Sequence, residues 1–566
     1  MNICLISAPV VDPSMPWLAI FQLQSYLKKE FPKYCIDAFD LNSIFFNEII
    51  KNPYCDLTEN ADIFNSYTEI QKIENNITEA INKWSIKNDI SLSRQNLTFN
   101  FDQDSSFEVN EFINSDSHFS RQLENLLLTN IDVKKYDLIC FSINCYEQLI
   151  SSLLMSRTIK RKQTHTKIVI GGNIISRISN SLSKISVLPQ IVDYVIKQEG
   201  ELPLLNLISH IKGFNIRFHA NSLIETKGYT FVDYTLQPKI VDLDSIPTTD
   251  FMDADMKSYF SPIPIFPIAL GRGCSWGKCV FCGIHSSWCS GYRTRSTNNI
   301  VDEIEYLVKT HNINSFRLVD ESPALLNIIS LSKEIIKRHL NIHIEAYFNI
   351  DKRLLSDEVA DTLANAGFRQ LFFGLESVDR EFLLSMKKEI NNPELYEPIL
   401  DNLNKHGISN YGFFMIGVPN DRIENEEKME KFITSCNSLN TIAISSFLPV
   451  TNSIMVNDKS FNKRYNIEYF LRGDLTTRCN YKVKGESVDK FVNERAENML
   501  KRIFDIRPDL YISSNIPYES RFYFIIKYGY MFSKNISIDS RFDNNTNQIS
   551  NELLARTKGL SAEKVS

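Results

Sequence analysis

The sequence predicts an α/β protein: a Rossmann-like, doubly wound parallel sheet, then a partial (β/α)6 barrel of the TIM type, then a mainly helical C-terminal region. Three observations predict this order. Short apolar runs alternate with helical stretches up to about residue 240. Six more such runs follow between 266 and 449, again separated by helical segments. Beyond about 455 the alternation gives way to helical spacing. At 566 residues the chain exceeds a single core, and it divides as 1–240, a linker at 241–268, the barrel at 269–455 and a last region at 456–566.

The first domain opens on "NICLISAP", a buried strand ending at Pro9, and continues into the helical "LAIFQLQSYLKKEF" with its basic end. "YDLICFSI" (136–143) and "KIVIGG" (167–172) read as strands around the helical "EQLISSLLMSRTIKRK", and "VDYVIKQEGELPLLNLISHI" repeats the unit. Strands joined through helices form parallel sheets covered on both faces, and ligands sit at their carboxyl ends, where Ser142, Gly171 and Gly172 fall. Residues 56–126, rich in Asn, Ser and acids, read as a partly helical insertion. Residues 240–268 carry the Pro and acidic residues of a linker.

The strand before Cys274 opens the barrel. "SFRLVDE" (315–321), "HIEAYFNI" (343–350), "FRQLFFGLES" (368–377), "NYGFFMIGVP" (410–419) and "TIAISSFLP" (441–449) continue it, with helices such as "SDEVADTLANAG" between them. Functional loops of such a barrel follow the carboxyl ends of its strands. "SVDKFVNERAENMLKRIFDI" typifies the helical last region, and the final fifteen residues read as a solvated tail.

An apolar fraction of 43%, a charged fraction of 23% and a net charge of −6 describe an ordinary globular chain with no electrostatic footprint for nucleic acid or an anionic membrane. "MNICLISAPVVDP" lacks the basic start of a signal peptide, and "SPIPIFPIALG" is too short to span a bilayer. The expected location is cytoplasmic, where thiols stay reduced and clustered cysteines point to metal. Four of the eleven cysteines fall between 274 and 289, in "GRGCSWGKCVFCGIHSSWC". Cys274, Cys279 and Cys282 form C-x4-C-x2-C, which suits an iron–sulfur cluster or tetrahedral zinc with Cys289 as fourth ligand. Two features count against zinc: the spacing is not that of two C-x2-C knuckles, and the loop follows a barrel strand, where chemistry is placed.

"GRGCSWGKCVFCG" resembles the cluster loop of radical S-adenosylmethionine (SAM) enzymes, including Phe281 before the third cysteine. The first gap is one residue longer than the family's commonest C-x3-C-x2-C. "YRTRSTNNIVDEIEYL", "RLVDES", "FFGLESVDREFLLSMKK" and "FFMIGVP" resemble the same family in the same order. The resemblance implies that Cys274, Cys279 and Cys282 hold three irons of a 4Fe–4S cluster whose fourth iron takes the amino and carboxylate groups of SAM. Reductive cleavage then yields a 5′-deoxyadenosyl radical, with an electron donor such as flavodoxin or ferredoxin. It also places Asp320 and Glu321 near the SAM amino group, Gly374, Glu376 and Ser377 near its nucleoside or amino acid, and Gly417 with Pro419 at the adenine side. Arg293 and Arg295 are open between the SAM carboxylate and nearby acids. Cys289 reads as an ordinary thiol.

"ICLISAPV", "YDLICFSINCYEQLISSLLMSR", "IVIGGN" and "VDYVIKQEGELPLLNLI" resemble the cobalamin-binding domain that precedes many radical SAM barrels. The resemblance associates Ser142, Gly171, Gly172 and the acids Glu199 and Glu201 with cobalamin. The D-x-H-x-x-G of histidine-ligated cobalamin proteins is missing from "SAPVVDPSMPW", and "DSHFSR" at 116–121 lacks its glycine. Cobalamin is therefore expected without a histidine ligand. The expected function is a cobalamin-dependent radical SAM enzyme, a methyltransferase acting at an unactivated carbon of a small natural product or peptide precursor. A radical rearrangement, cyclisation or oxidation is the alternative enzymatic reading, and a non-catalytic zinc-binding interaction protein the alternative outside enzymes. No general base is nominated, since His285, His343 and His406 read as loop or surface residues.

Overall fold

The protein is described from a computed structural model, over residues 1–536 except 59, 164, 214–222, 228–229, 234–240, 285–288, 290, 420 and 488. The first five strands are β1 (Asn2–Ser7), β2 (Cys35–Asp40), β3 (Leu138–Ser142), β4 (Lys167–Gly171) and β5 (Tyr194–Ile196). They pair in parallel in the order β2-β1-β3-β4-β5. β6 (Leu223–Lys227) and β7 (Thr230–Asp233) extend the β5 edge as an antiparallel hairpin. Period-2 side chains divide each central strand between two cores: Ile3, Leu5, Cys140 and Val169 enter one, Cys4, Ile6, Phe141 and Ile170 the other. The first core runs on without a break into the barrel, through Phe266, Ile268 and Leu270.

Within 56–126 lie the helix Ile63–Asn88, a short hairpin and the helix Ser106–Asn114, followed by the helix His118–Asn130. Ile70, Ile73, Ile77 and Ile81 recur at helical spacing and are buried in the second core. This segment is braced by the C-terminal region, through Ser66 Oγ and Tyr528 OH at 2.7 Å and Ser106 Oγ donating to Asp474 at 2.7 Å. The segment before the barrel lies along the first domain. Asp253 accepts from Gln24, Tyr259 OH donates to Asp40 at 3.0 Å, and Asn47 donates to the Ser258 carbonyl at 2.7 Å.

The barrel strands are β8 (Phe266–Ile268), β9 (Ser315–Leu318), β10 (His343–Phe348), β11 (Phe368–Glu376), β12 (Ser409–Ile416) and β13 (Thr441–Ser446), all parallel and in sequential order. β8 thus starts inside the stretch read as linker. Ile344, Ala346, Leu371 and Phe373 point outward under the helices, whereas Glu345, Tyr347, Gln370 and Phe372 point inward. Helices Asp489–Ile506, Pro508–Ser514 and Tyr518–Tyr528 follow, and Arg507 caps the β13 side by donating to the carbonyls of Ile433, Cys436 and Leu439. A small antiparallel sheet, Ile467–Leu471 with Cys479–Val483 and Glu486–Ser487, interrupts the helical C-terminal region. Its strands are short and alternate with charged residues, a weak signal beside the surrounding helical periodicity.

Candidate functional site

The cysteine loop leaves the barrel through a narrow neck. Gly271–Arg272 pairs antiparallel with Arg293–Thr294, so both ends of the loop are pinned together. A Cβ at Gly271 would lie 3.0 Å from Thr294 Cα and overlap the Arg293 carbonyl, which is why glycine stands there. Asp320, just past β9, is buried and accepts from the backbone N–H groups of Leu270 at 2.8 Å and Gly271 at 2.7 Å. Burial pushes its carboxyl up to about 7, against the pull of those two amides. Beyond the neck, Ser275 N–H donates to Ser322 O, Val280 N–H to Met386 O, and Met455 N–H to Val280 O. The cysteines are therefore tied to loops after β9, β11 and β13.

Cys279 and Cys282 are pushed up to about 11 and about 12 by burial, and each also feels Cys274. Among the described residues no three Cys, His, Asp or Glu side chains converge on a point that holds a single metal ion. The donor set of the loop is three thiols, soft ligands suited to iron–sulfur ligation. A buried cation stands beside them. Lys388 Nζ pairs with Glu376 Oε1 at 2.9 Å, and its charge lowers the Cys279 pKa. Glu376 raises that pKa in turn, so the Lys388–Glu376 pair brings no net charge to the thiols.

The "GLES" segment is shaped for this pair. The register of β11 against β12 shifts between Gly374 and Glu376, and Glu376 takes a left-handed φ of 64°. A Cβ at Gly374 would meet Glu376 Oε1 at 2.8 Å and Lys388 Nζ at 3.0 Å. Asn391 and Tyr396 donate to the Leu375 carbonyl, and Ser377 Oγ accepts from Asp379 N–H. Gly417, with φ 79°, is held by Tyr481 OH at its carbonyl and packs on Val492, whose Cβ lies 3.0 Å from where a glycine Cβ would stand.

Glu199 and Glu201, associated by resemblance with cobalamin, grip the neck of the cysteine loop. Arg272 meets Glu199 at 2.7 Å and Glu201 at 3.1 Å, and Arg293 pairs with Glu199. Arg295 pairs with Glu303 and donates to the Ala269 carbonyl at 3.1 Å. Both arginines left open between SAM and nearby acids are thus ion-paired to acids. Arg272 holds Glu201 ionised despite burial. The signal for the clamp was present in "QEGE" and "GRGC", but only the fold brings them together.

The carboxyl ends of the two sheets face each other across a cavity of about 330 Å³ that is partly open to solvent. Leu5, Cys140, Val169 and Ile196 give it an apolar wall. Ser142, Gly171, Gly172 and Glu199 line the first domain's side, and Asp320 and Glu321 the barrel side. A Cβ at Gly172, φ 115°, would overlap the backbone of Ile143, with its carbonyl carbon at 2.8 Å. Trp17 Nε1 and Asn173 Oδ1 are buried on this lining without partners among the described residues. A broad apolar wall with unsatisfied polar atoms at its margin fits a corrin ring fringed by amides. Cys289 is buried close enough to feel Glu321 and Glu199, and burial pushes it up to about 12.

Three of the described histidines stay away from the cavity. His118 meets Asn88 at 2.7 Å at a helix start, His343 opens β10 at the barrel's amino end, and His406 bonds the Asn402 carbonyl. His285 and the tail from 537 lie outside the described residues. Among the described residues no helix is long and apolar enough to cross a membrane.

Residues 268–433 match the model of the Radical SAM superfamily. The anaerobic magnesium-protoporphyrin IX monomethyl ester cyclase of Rubrivivax gelatinosus is 28% identical over 261 residues, 44% of this chain and 45% of that one. The chain thus spans under half the length of that relative. Among solved structures, the cobalamin-dependent SAM radical enzyme OxsB with aqua-cobalamin bound aligns with a TM-score of 0.59 at 14% identity, over 98% of this chain and 80% of that one. The radical SAM methyltransferase TsrM from Kitasatospora setae, with tryptophan and a SAM analogue bound, aligns at 0.55 and 15%, over 89% and 88%. The α/β fold class read from the sequence is the one these chains share.

Proposed function

Taking residues 268–433 as a radical SAM domain set against a doubly wound sheet, we propose that the chain is a cobalamin-dependent radical SAM methyltransferase acting on an unactivated carbon of a small molecule or peptide precursor. The observation that carries this reading is a cavity shared by the carboxyl ends of both sheets, with the cysteine loop's neck on its rim. A cluster on Cys274, Cys279 and Cys282 would supply one-electron cleavage of SAM, and cobalamin in the cavity a methyl carrier. The chain's own residues do the rest. Asp320 fixes the start of the loop through two backbone amides, and the Lys388–Glu376 ion pair stands beside the thiols. Glu199 and Glu201 hold the loop against the first domain, so the two cofactor sites keep a fixed relation. A continuous apolar core joins the first domain to the barrel beside the cavity.

The matched relative favours a second reading, radical ring closure, since its name is that of a cyclase. The test is anaerobic purification with cobalamin supplied, metal analysis, then incubation with SAM and a flavodoxin or ferredoxin reducing system. Iron with cobalt, together with 5′-deoxyadenosine and S-adenosylhomocysteine, is the expected result. Iron and 5′-deoxyadenosine without cobalt or S-adenosylhomocysteine would favour ring closure, and zinc alone would overturn both.

A further inference from the structure

The cysteine loop has an outer face, and the longer first gap of its motif lies there. Ser275, Trp276, Gly277 and Lys278 separate Cys274 from Cys279, and Gly277 turns the chain at a left-handed φ of 64°. Lys278 is exposed, with its ammonium 4.9 Å from the centroid of the Trp276 ring. The indole N–H of Trp276 donates to the Lys387 carbonyl at 2.8 Å, which holds the half-buried ring in place. Lys387 is itself exposed and follows Met386, whose carbonyl accepts from Val280 in the loop. Cys274 and Cys282 are only half-buried, so this face stands one loop's thickness from the thiols.

Two further segments complete the face. Leu384 and Ile454 are each 45% exposed; Leu384 O accepts the Lys387 N–H, and Ile454 precedes Met455, whose N–H donates to Val280 O. Asp458 caps the helix Lys459–Tyr465 and feels the charge of Lys387, which places the exposed Lys459 and Lys463 of that helix beside it. None of these lysines has an ion-pair partner among the described residues. Across 275–278, 384–389 and 454–463, Lys278, Lys387, Lys459 and Lys463 thus face only Asp458 and Glu389 as acids, in a chain of net charge −6. Resting on the reading of the cysteine loop as the holder of a redox cluster, we propose that this face docks an acidic one-electron carrier protein of the flavodoxin type. Its acidic rim meets the lysines, and the apolar edge of its flavin meets Trp276, Leu384 and Ile454. The flavin hydroquinone anion loses one electron and no proton, and the cluster gains that electron. Encounters of this kind bury less than about 1,200 Å², so a patch of this extent suffices, and opposite charges speed the approach.

The test uses the purified, metal-loaded full chain with reduced flavodoxin, and photoreduced deazaflavin as a small neutral reductant. Lys387→Glu with Lys463→Glu is expected to slow flavodoxin-driven reduction about tenfold at low salt. The difference should fade at about 0.5 M salt, where the screening length is about 4 Å. Reduction by deazaflavin should stay within about twofold of wild type. Calorimetric binding of oxidised flavodoxin, which needs no turnover, should weaken about tenfold in the same variant. Lys463→Glu alone, on a helix apart from the cysteines, keeps the test valid should the Lys387 change disturb the loop. Lys72→Glu, on the exposed side of the helix Ile63–Asn88, is the control and should change neither reading. Binding and reduction unmoved by the folded variants, moved as much by Lys72→Glu, or slowed equally with both reductants would overturn the proposal. Flavodoxin binding that obeys these changes while neither reductant drives SAM cleavage would keep the surface and sink the catalytic reading. SAM cleavage with deazaflavin but no flavodoxin binding would do the reverse.

Discussion

Replacing Arg272 by methionine tests whether the first domain holds the cysteine loop. The guanidinium is 10% exposed and lies 2.7 Å from Glu199 and 3.1 Å from Glu201, whose side chains are 15% and 4% exposed. Arg293 still partners Glu199 after the substitution, but Glu201 loses its ion-pair partner and stays buried. Breaking a buried pair from one side costs about 3–5 kcal/mol, because the remaining charge is uncompensated. Three contacts to charged acceptors at about 1.5–3 kcal/mol each give a gross value above that, so the lower figure, which allows relaxation, is the one expected. Replacing both partners with apolar groups of similar volume removes the charge problem, so Arg272→Met with Glu201→Leu should recover most of the loss. The assay is urea unfolding at pH 7 of the wild type, both single variants and the double variant, closed as a cycle. A loss below about 1 kcal/mol for Arg272→Met, or a coupling below about 0.5 kcal/mol, would refute the clamp.

Asp40 is buried where the first domain meets the linker, and burial pushes its carboxyl up to about 6 from an ordinary 3.8. The native state therefore binds more protons between those values, and stability from this group, full below about pH 4, is lost as pH rises through 6, by on the order of 3 kcal/mol in all. Asp40→Asn should flatten that part of the urea-midpoint profile, and an unchanged slope would count against it. Gly172→Ala forces a side chain into φ 115° against the Ile143 backbone, so about 1–3 kcal/mol of stability and most cobalamin uptake should be lost, read by melting and by visible absorption. Cys279→Ala should strip iron and abolish 5′-deoxyadenosine formation while leaving bound cobalt in place, and retention of both iron and SAM cleavage would remove Cys279 from the ligand set.

Much of the fold was legible because its signals are local. Period-2 and helical runs such as "YDLICFSI" and "EQLISSLLMSRTIKRK" carry their own secondary structure, and sequential parallel strands leave few topologies open. The C-x4-C-x2-C loop was legible for the same reason, since its spacing lies within nine residues, Cys274 to Cys282. What escaped was non-local. Arg272 and Glu201 are 71 residues apart, and neither is unusual in its own segment. Arg317, Gln370 and Ser409 share their strands with other polar residues such as Ser315, Arg369 and Asn410, and only the register aligns them.

The two non-local features belong to one arrangement. A radical generated beside the cysteine loop is useful only if loop, cavity and barrel strands keep fixed separations, because a misplacement of about 1 Å costs roughly two orders of magnitude in rate. The barrel alone does not fix them. The neck of the loop is held by Glu199 and Glu201 of the first domain, and Arg317, on the barrel side of the cavity, is held by Glu519 of the C-terminal helix. The second core, which packs the 63–130 helices against the first sheet, also takes in Ile512, Tyr523 and Phe524 of the C-terminal region. Each wall of the cavity is thus positioned by a segment remote in sequence, and a lesion far from the cysteines, such as Arg272→Met, is expected to reach the chemistry by moving the loop rather than by touching a ligand.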